Sequence, residues 1–247
     1  MAGVSGAMGA DHELRSSISV KKRLVSILIE LDEYREWTDF HGQRDRYSSV
    51  SRGLFLGGTL PMVAADILIL EDRRFFKHRG AELRAVPRAL RRWLVYGRLG
   101  GISTVEQQLV RIIRRRRERT WRRKGGELFF AVLINFHRSK LDILLAYLNC
   151  SYFGPHLNGV DTASLICFGM PARELSPDKS AFIASLLPYP MPSKVSAALR
   201  HDGPANDPFE IFEAAASTHP WWVKRIKMRM RYLEDLRPRY SKLYEAI

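Results

Sequence analysis

The sequence is poor in cysteine, in acids relative to bases, in long apolar runs and in strand-like alternation. Two cysteines occur in 247 residues, Cys150 and Cys167. They show neither a metal-ligand spacing nor a disulfide framework, so two free thiols are expected. Acids number 26 against 40 Lys and Arg, a formal charge of +14. That imbalance predicts attraction to something anionic: nucleic acid, a phosphorylated small molecule or lipid headgroups. The longest N-terminal apolar run, Leu24 to Leu31, is interrupted by Ser26 and Glu30. It falls far short of the ~20 apolar residues that a membrane span needs. The opening MAGVSGAMGADHELRSS also lacks the basic region and following apolar region of a secretory signal. Alternating apolar and polar residues are confined to a short piece near Leu54–Leu56, so the expected fold class is mainly α.

What is present suffices for a core: 46% of residues are hydrophobic and 11% aromatic. Residues 1–12 are small and polar and read as a disordered N-terminus, 13–57 as a helical extension ending in a loop, and 58–240 as one helical domain. A helix is predicted from Leu14 to Trp37. The next has Thr59 as its N-cap and Pro61 in its first turn, with Leu60, Val63, Ala64, Ile67 and Leu68 on one face. Further helices are expected at 82–96, 104–119, 125–149, 161–168, 177–187, 208–216 and 220–236. The prolines of PYPMP at 188–192 stop the fifth of these.

Five stretches could carry chemistry. In LILEDRRFFKHRG, Leu68 to Gly80, Glu71 lies eleven residues beyond Leu60, about 20° around an ideal helix. It therefore shares the apolar face, whereas Asp72 lies toward the flank. Desolvation and the negative helix end would raise the Glu71 pKa, and Arg73 and Arg74 would lower it, a balance suited to a general base. A structural ion pair is the plain alternative. In GRLGGISTVEQQLVR, Gly97 to Arg111, glycines lead into the capping-box spacing Ser103–Glu106. Backbone N–H groups at such a helix start can receive an anion, although the GK[ST] end of a P-loop is missing. Residues 111–124 carry nine basic side chains and one acid, either a solvated face or a clamp for pyrophosphate or an anionic membrane. In SKLDILLAYLNCSYFG, Ser139 to Gly154, Asn149 stands where a helix should end. PWWVKRIKMRMRYL, 220–233, is a basic amphipathic helix; a core helix with a basic outer face is favoured over one lying on a membrane.

Taken in order, these stretches resemble the peptidoglycan glycosyltransferases of glycosyltransferase family 51. E-D-x-x-F-x-x-H-x-G is met by Glu71, Asp72, Phe75, His78 and Gly80. G-x-S-T-x-x-Q-Q-x-x-[KR] is met by Gly101, Ser103, Thr104, Gln107, Gln108 and Arg111; R-K-x-x-E by Arg123, Lys124 and Glu127. K-x-x-I-L-x-x-Y-L-N is met by Lys140, Ile143, Leu144, Tyr147, Leu148 and Asn149. The resemblance spans about 58–192 and implies a lysozyme-like helical glycosyltransferase domain.

It also implies a reaction: lipid II and a growing lipid-linked glycan are joined with inversion, releasing polyprenyl pyrophosphate. Glu71 would be the general base, and Glu127 the second catalytic glutamate near the pyrophosphate. Arg88, Arg111, Arg123, Lys124 and Lys140 would meet the anionic leaving group. Asp72, Phe75, His78, Gly80, Ser103, Thr104, Gln107, Gln108 and Asn149 would complete the substrate site. The resemblance admits a divalent cation, Mg or Mn, and implies no organic cofactor. It places such a chain at the outer face of the inner membrane, against an anionic surface and among cell-wall synthesis proteins, and nucleic acid is not favoured as a partner. Departures from the pattern are Glu106 for a usual Thr, Asn135 for a frequent Glu, and Met170 and Lys179 for a frequent Lys and Glu. Gly125–Gly126 is a further departure, expected to weaken a helix by about 1 kcal/mol per glycine. A catalytically weakened scaffold that binds lipid II is the alternative function, and Glu106 would add negative charge beside a pyrophosphate site.

Overall fold

The protein is described by a computed structural model, in which residues 5–36, 60–81, 103–115 and 120–244 are described. Helices α1 (Ser5–Glu36), α2 (Met62–Glu71), α3 (Val105–Ile113), α4 (Trp121–His137) and α5 (Lys140–Cys150) precede a two-stranded antiparallel hairpin, β1 (Tyr152–Gly154) and β2 (Leu157–Asn158). Then follow α6 (Val160–Phe168), α7 (Pro177–Ser185), α8 (Ser193–Asp202), α9 (Pro208–Ala216) and α10 (Pro220–Leu236), and a 3-10 segment, Arg237–Leu243. The mainly α expectation therefore holds. The helix expected at 82–96, the loop at 38–58 and the strand piece at Leu54–Leu56 lie outside the described residues, as do Thr59, Arg88 and Gly101.

α2 is the central element. Its residues Val63 to Ile69 are all buried, polar Asp66 included, so the one-faced helix read from the sequence is buried all round. Asp66 is wholly enclosed. It accepts from Ser180 on α7, from Arg237 Nε at 3.0 Å and Nη2 at 2.7 Å, and from the Tyr244 hydroxyl at 2.6 Å. Burial, helped by Asp66, pushes the Tyr244 hydroxyl pKa well up and keeps it a donor. α1 packs on α5, and its Ile27 and Leu31 join the main core. Arg138 pairs with Asp32 of that helix.

Several boundaries differ from expectation, the helix expected at 104–119 ending at Ile113 among them. Residues 5–12, read as disordered, continue α1, since each added helical residue gains a hydrogen bond once a nucleus exists. The helix expected over 125–149 is two helices. Ser139 accepts from the Asp142 amide while Asp142 accepts from the Ser139 amide, and this reciprocal cap starts α5 afresh. α8 and the hairpin had no strong periodic signal. Both cysteines are free and buried, and burial pushes both thiols well above the usual range. No helix among the described residues is long and apolar enough to cross a membrane.

Candidate active site

α2 ends at Glu71 because the backbone leaves helical geometry at Asp72 (φ −155°, ψ 75°). That turn reverses the expected order of burial. Asp72 is buried at 6% exposure, whereas the Glu71 side chain keeps 16%. The helical wheel fails for Asp72 because it lies beyond the last helical residue. Its carboxylate is 3.0 Å from His78 Nε2 and accepts from the Val105 amide at 3.1 Å. It thus joins the segment after α2 to the start of α3.

Glu71 has a donor on each oxygen. Gln108 Nε2 donates to Oε2 at 3.1 Å, and Arg229 of α10 donates to Oε1. The Tyr147 hydroxyl donates to Gln108 Oε1 at 3.0 Å, which turns the amide nitrogen toward Glu71. Burial, reinforced by the charge of Glu71, raises the Tyr147 pKa, so the hydroxyl stays protonated. Arg73, expected to bear on Glu71, is engaged elsewhere: it donates to Ile69 O at 2.9 Å and to the Tyr232 hydroxyl.

α3 organises the rest. Thr104 caps it, accepting from the Gln107 amide at 3.3 Å, and donates its hydroxyl to Gly80 O at 2.9 Å. Gly80 has φ +81°, and a Cβ there would stand 2.2 Å from Ala131 O. No side chain fits at that position. Gln107 Nε2 also donates to Gly80 O, at 3.3 Å. Residues 104 to 108 therefore reach five different targets: Gly80, Asp72, Lys140, Lys124 and Glu71.

The cations form two groups. Lys124 Nζ donates to Ser103 Oγ at 2.8 Å, Gln107 Oε1 at 2.7 Å and Glu127 Oε2 at 3.4 Å. Arg123 pairs with Glu127 Oε1, so Glu127 is buried with a cation on each oxygen. Arg111 is exposed on the last turn of α3, and its charge is felt at both Lys124 and Tyr147. The other group is internal. Lys140 pairs with Glu106 and lies 4.4 Å from the Phe75 ring centroid. Glu106 is fully buried and also accepts from Asn135 Nδ2 at 3.3 Å. Its Oε1 is thus paired inside the protein, while its Oε2 is buried without a hydrogen-bond partner. Asn149 is buried and donates to Tyr34 O of α1 at 2.8 Å, so its amide ties two helices. α4 continues through both glycines; a Cβ at Gly126 would stand 2.9 Å from Arg114 Nη1, and one at Gly125 would meet open space.

Asp72, His78 and Glu106 could together present one ligand atom each within 4.8 Å. Within this set Glu106 Oε2 and His78 Nδ1 are buried without a hydrogen-bond partner, whereas Glu106 Oε1 is already shared with a cation. The Lys140 ammonium already occupies Glu106 Oε1, and a second cation beside it would be repelled. Glu127 has Arg123 on one oxygen and Lys124 on the other. Arg229 is the site residue that sequence reasoning missed. It lies 158 residues from Glu71 on a helix whose pattern announces only amphipathicity.

A transglycosylase family model matches residues 56–205, more than half of the chain. The chain is 36% identical over 130 residues to the biosynthetic peptidoglycan transglycosylase of Bdellovibrio bacteriovorus, covering 53% of this chain and 52% of the relative. It is 35% identical over 144 residues to that of Rhodospirillum centenum, covering 57% and 62%. It is 31% identical over 127 residues to penicillin-binding protein 2D of Bacillus subtilis, covering 51% and 18%. The chain thus spans just over half the length of the first of these relatives and less than two thirds of the second. With all four motifs inside the matched segment, the chain belongs to the transglycosylase family.

Proposed function

We propose that the protein polymerises peptidoglycan glycan strands from lipid II, with inversion and release of polyprenyl pyrophosphate. The observation that carries this reading is Glu71, a carboxylate at the end of a helix buried from Val63 to Ile69, with each oxygen oriented by a separate donor. Each carboxylate oxygen has capacity for a further donor, so an acceptor sugar hydroxyl can still approach. Glu71 takes the proton from that 4-hydroxyl as its oxygen attacks the donor's anomeric carbon. The anomeric C–O bond to the pyrophosphate breaks, and its electron pair leaves with the lipid pyrophosphate. The developing charge is met by Arg111, Arg123 and Lys124. Glu127 holds the last two in place. Lys140 acts from within, as the partner of Glu106. The substrate is lipid-linked, so this reading places the chain at a membrane surface. The names of the relatives support the glycan chemistry.

The test is synthesis of glycan from labelled lipid II by purified protein in detergent, with magnesium and with chelator. Wild type is expected to make polymer with magnesium, the chelator arm reading whether a divalent cation is needed, and Glu71→Gln to lose about 100-fold or more, the scale of a lost general base. A silent wild type sinks the enzyme reading. A Glu71→Gln variant as fast as wild type sinks the mechanism.

A further inference from the structure

α10 presents Trp222, Ile226 and Leu233 to the core and keeps Lys224, Lys227 and Arg231 in solvent. Arg229 breaks this division. It stands three residues after Ile226 and four before Leu233, on the inward face. Its side chain is 18% exposed, and its ion pair is with Glu71. Its Nε is buried without a hydrogen-bond partner, so the fold uses only part of the guanidinium. Desolvating a cation on an apolar helix face is costly, and well-packed apolar residues often replace such pairs without loss of stability. Stability alone is therefore a weak reason for an arginine here.

The geometry supplies another reason. Gln108 holds one oxygen of Glu71 from α3, and Arg229 holds the other from α10. Two donors on two elements fix the rotation of the carboxylate about its terminal bond, which one donor would leave free. We propose that Arg229 is a positioning residue for Glu71, setting the orientation in which the carboxylate meets the acceptor hydroxyl. The role rests on the transglycosylase reading of Glu71. It gives α10 a part in the site that its sequence pattern does not disclose.

Steady-state kinetics with labelled lipid II test it, using wild type, Arg229→Met and Arg229→Lys. Misaligning a catalytic group costs rate more than substrate affinity. In Arg229→Met, kcat is expected to fall at least ~10-fold with KM within about 2-fold, and Arg229→Lys to recover much of the loss. A thermal-denaturation cycle with Glu71→Gln reports the contact independently of turnover. Arg229→Met should lower Tm in the wild-type background and have little effect when Glu71 is already Gln. If Arg229→Met does not fold, Arg229→Lys and Arg229→Gln carry the same comparison, with kcat higher in Lys than in Gln.

An active wild type alongside an Arg229→Met whose kcat is unchanged overturns the role and leaves the enzyme reading standing. So does a raised KM at constant kcat, which would make Arg229 a substrate-binding cation. A silent wild type takes both readings down together.

Discussion

Lys124 carries three hydrogen bonds on one ammonium, to Ser103, Gln107 and Glu127. Burial lowers its pKa; Glu127 opposes that shift, while Arg111 and Arg123 add to it. The sign follows directly. A lysine with a lowered pKa loses its charge at lower pH than a free one, so the proposed pyrophosphate site weakens first on the alkaline side. Arginine stays protonated throughout that range. Lys124→Arg is therefore expected to move the alkaline limb of the glycan-synthesis profile to higher pH, measured as kcat/KM against pH. An unmoved limb would remove Lys124 from the titrating groups. Single residues were legible in the sequence where a motif holds them close together, as with Glu71, Asp72 and His78. Arg229 was not, because its meaning depends on a contact across 158 residues. The order of burial of Glu71 and Asp72 was also hidden, since a wheel cannot see where its helix stops.

Between helices, two departures from the family pattern turn out to be one arrangement. Glu106 on α3 stands where Thr is usual, and Asn135 on α4 where Glu is frequent; the two side chains touch at 3.3 Å, with Lys140 on the same Glu106 oxygen. In this chain the carboxylate beside Lys140 is therefore carried by α3. Met170 and Lys179 show the same pairing of departures, with Lys179 Nζ 3.9 Å from Met170 Sδ. Glu106→Thr alone strands the Lys140 ammonium and is expected to cost about 3 kcal/mol, by analogy with other broken buried pairs. Adding Asn135→Glu should restore most of that in chemical denaturation. Two purely additive effects would refute the exchange. Most helices were legible from periodicity, α8 excepted, whereas helix ends depend on side-chain contacts. Ser139 and Asp142 divide α4 from α5 through two hydrogen bonds that no apolar period records.

At the scale of the molecule, the last described segment closes around the central helix. Asp66 of α2 is bound by α7 through Ser180 and by Arg237 and Tyr244 after α10. Arg237→Met leaves a buried carboxylate short of its cation. It is expected to cost about 3 kcal/mol, read as a Tm lower by roughly 6–12 °C in calorimetry. A Tm within about 2 °C of wild type would mean that Ser180 and Tyr244 suffice. The net charge was legible as an attraction to anions. Its division between an outer shell on α10 and neutralised internal pairs was not, because composition does not register direction. α3 finally sets a limit on how this chain can change. Positions 104 to 108 aim at five separate targets, so deleting or inserting one residue there swings every following side chain by about 100°. Length in this stretch is as constrained as identity. Drift among descendants should then proceed by paired exchange across α3 and its neighbours and not by gaps.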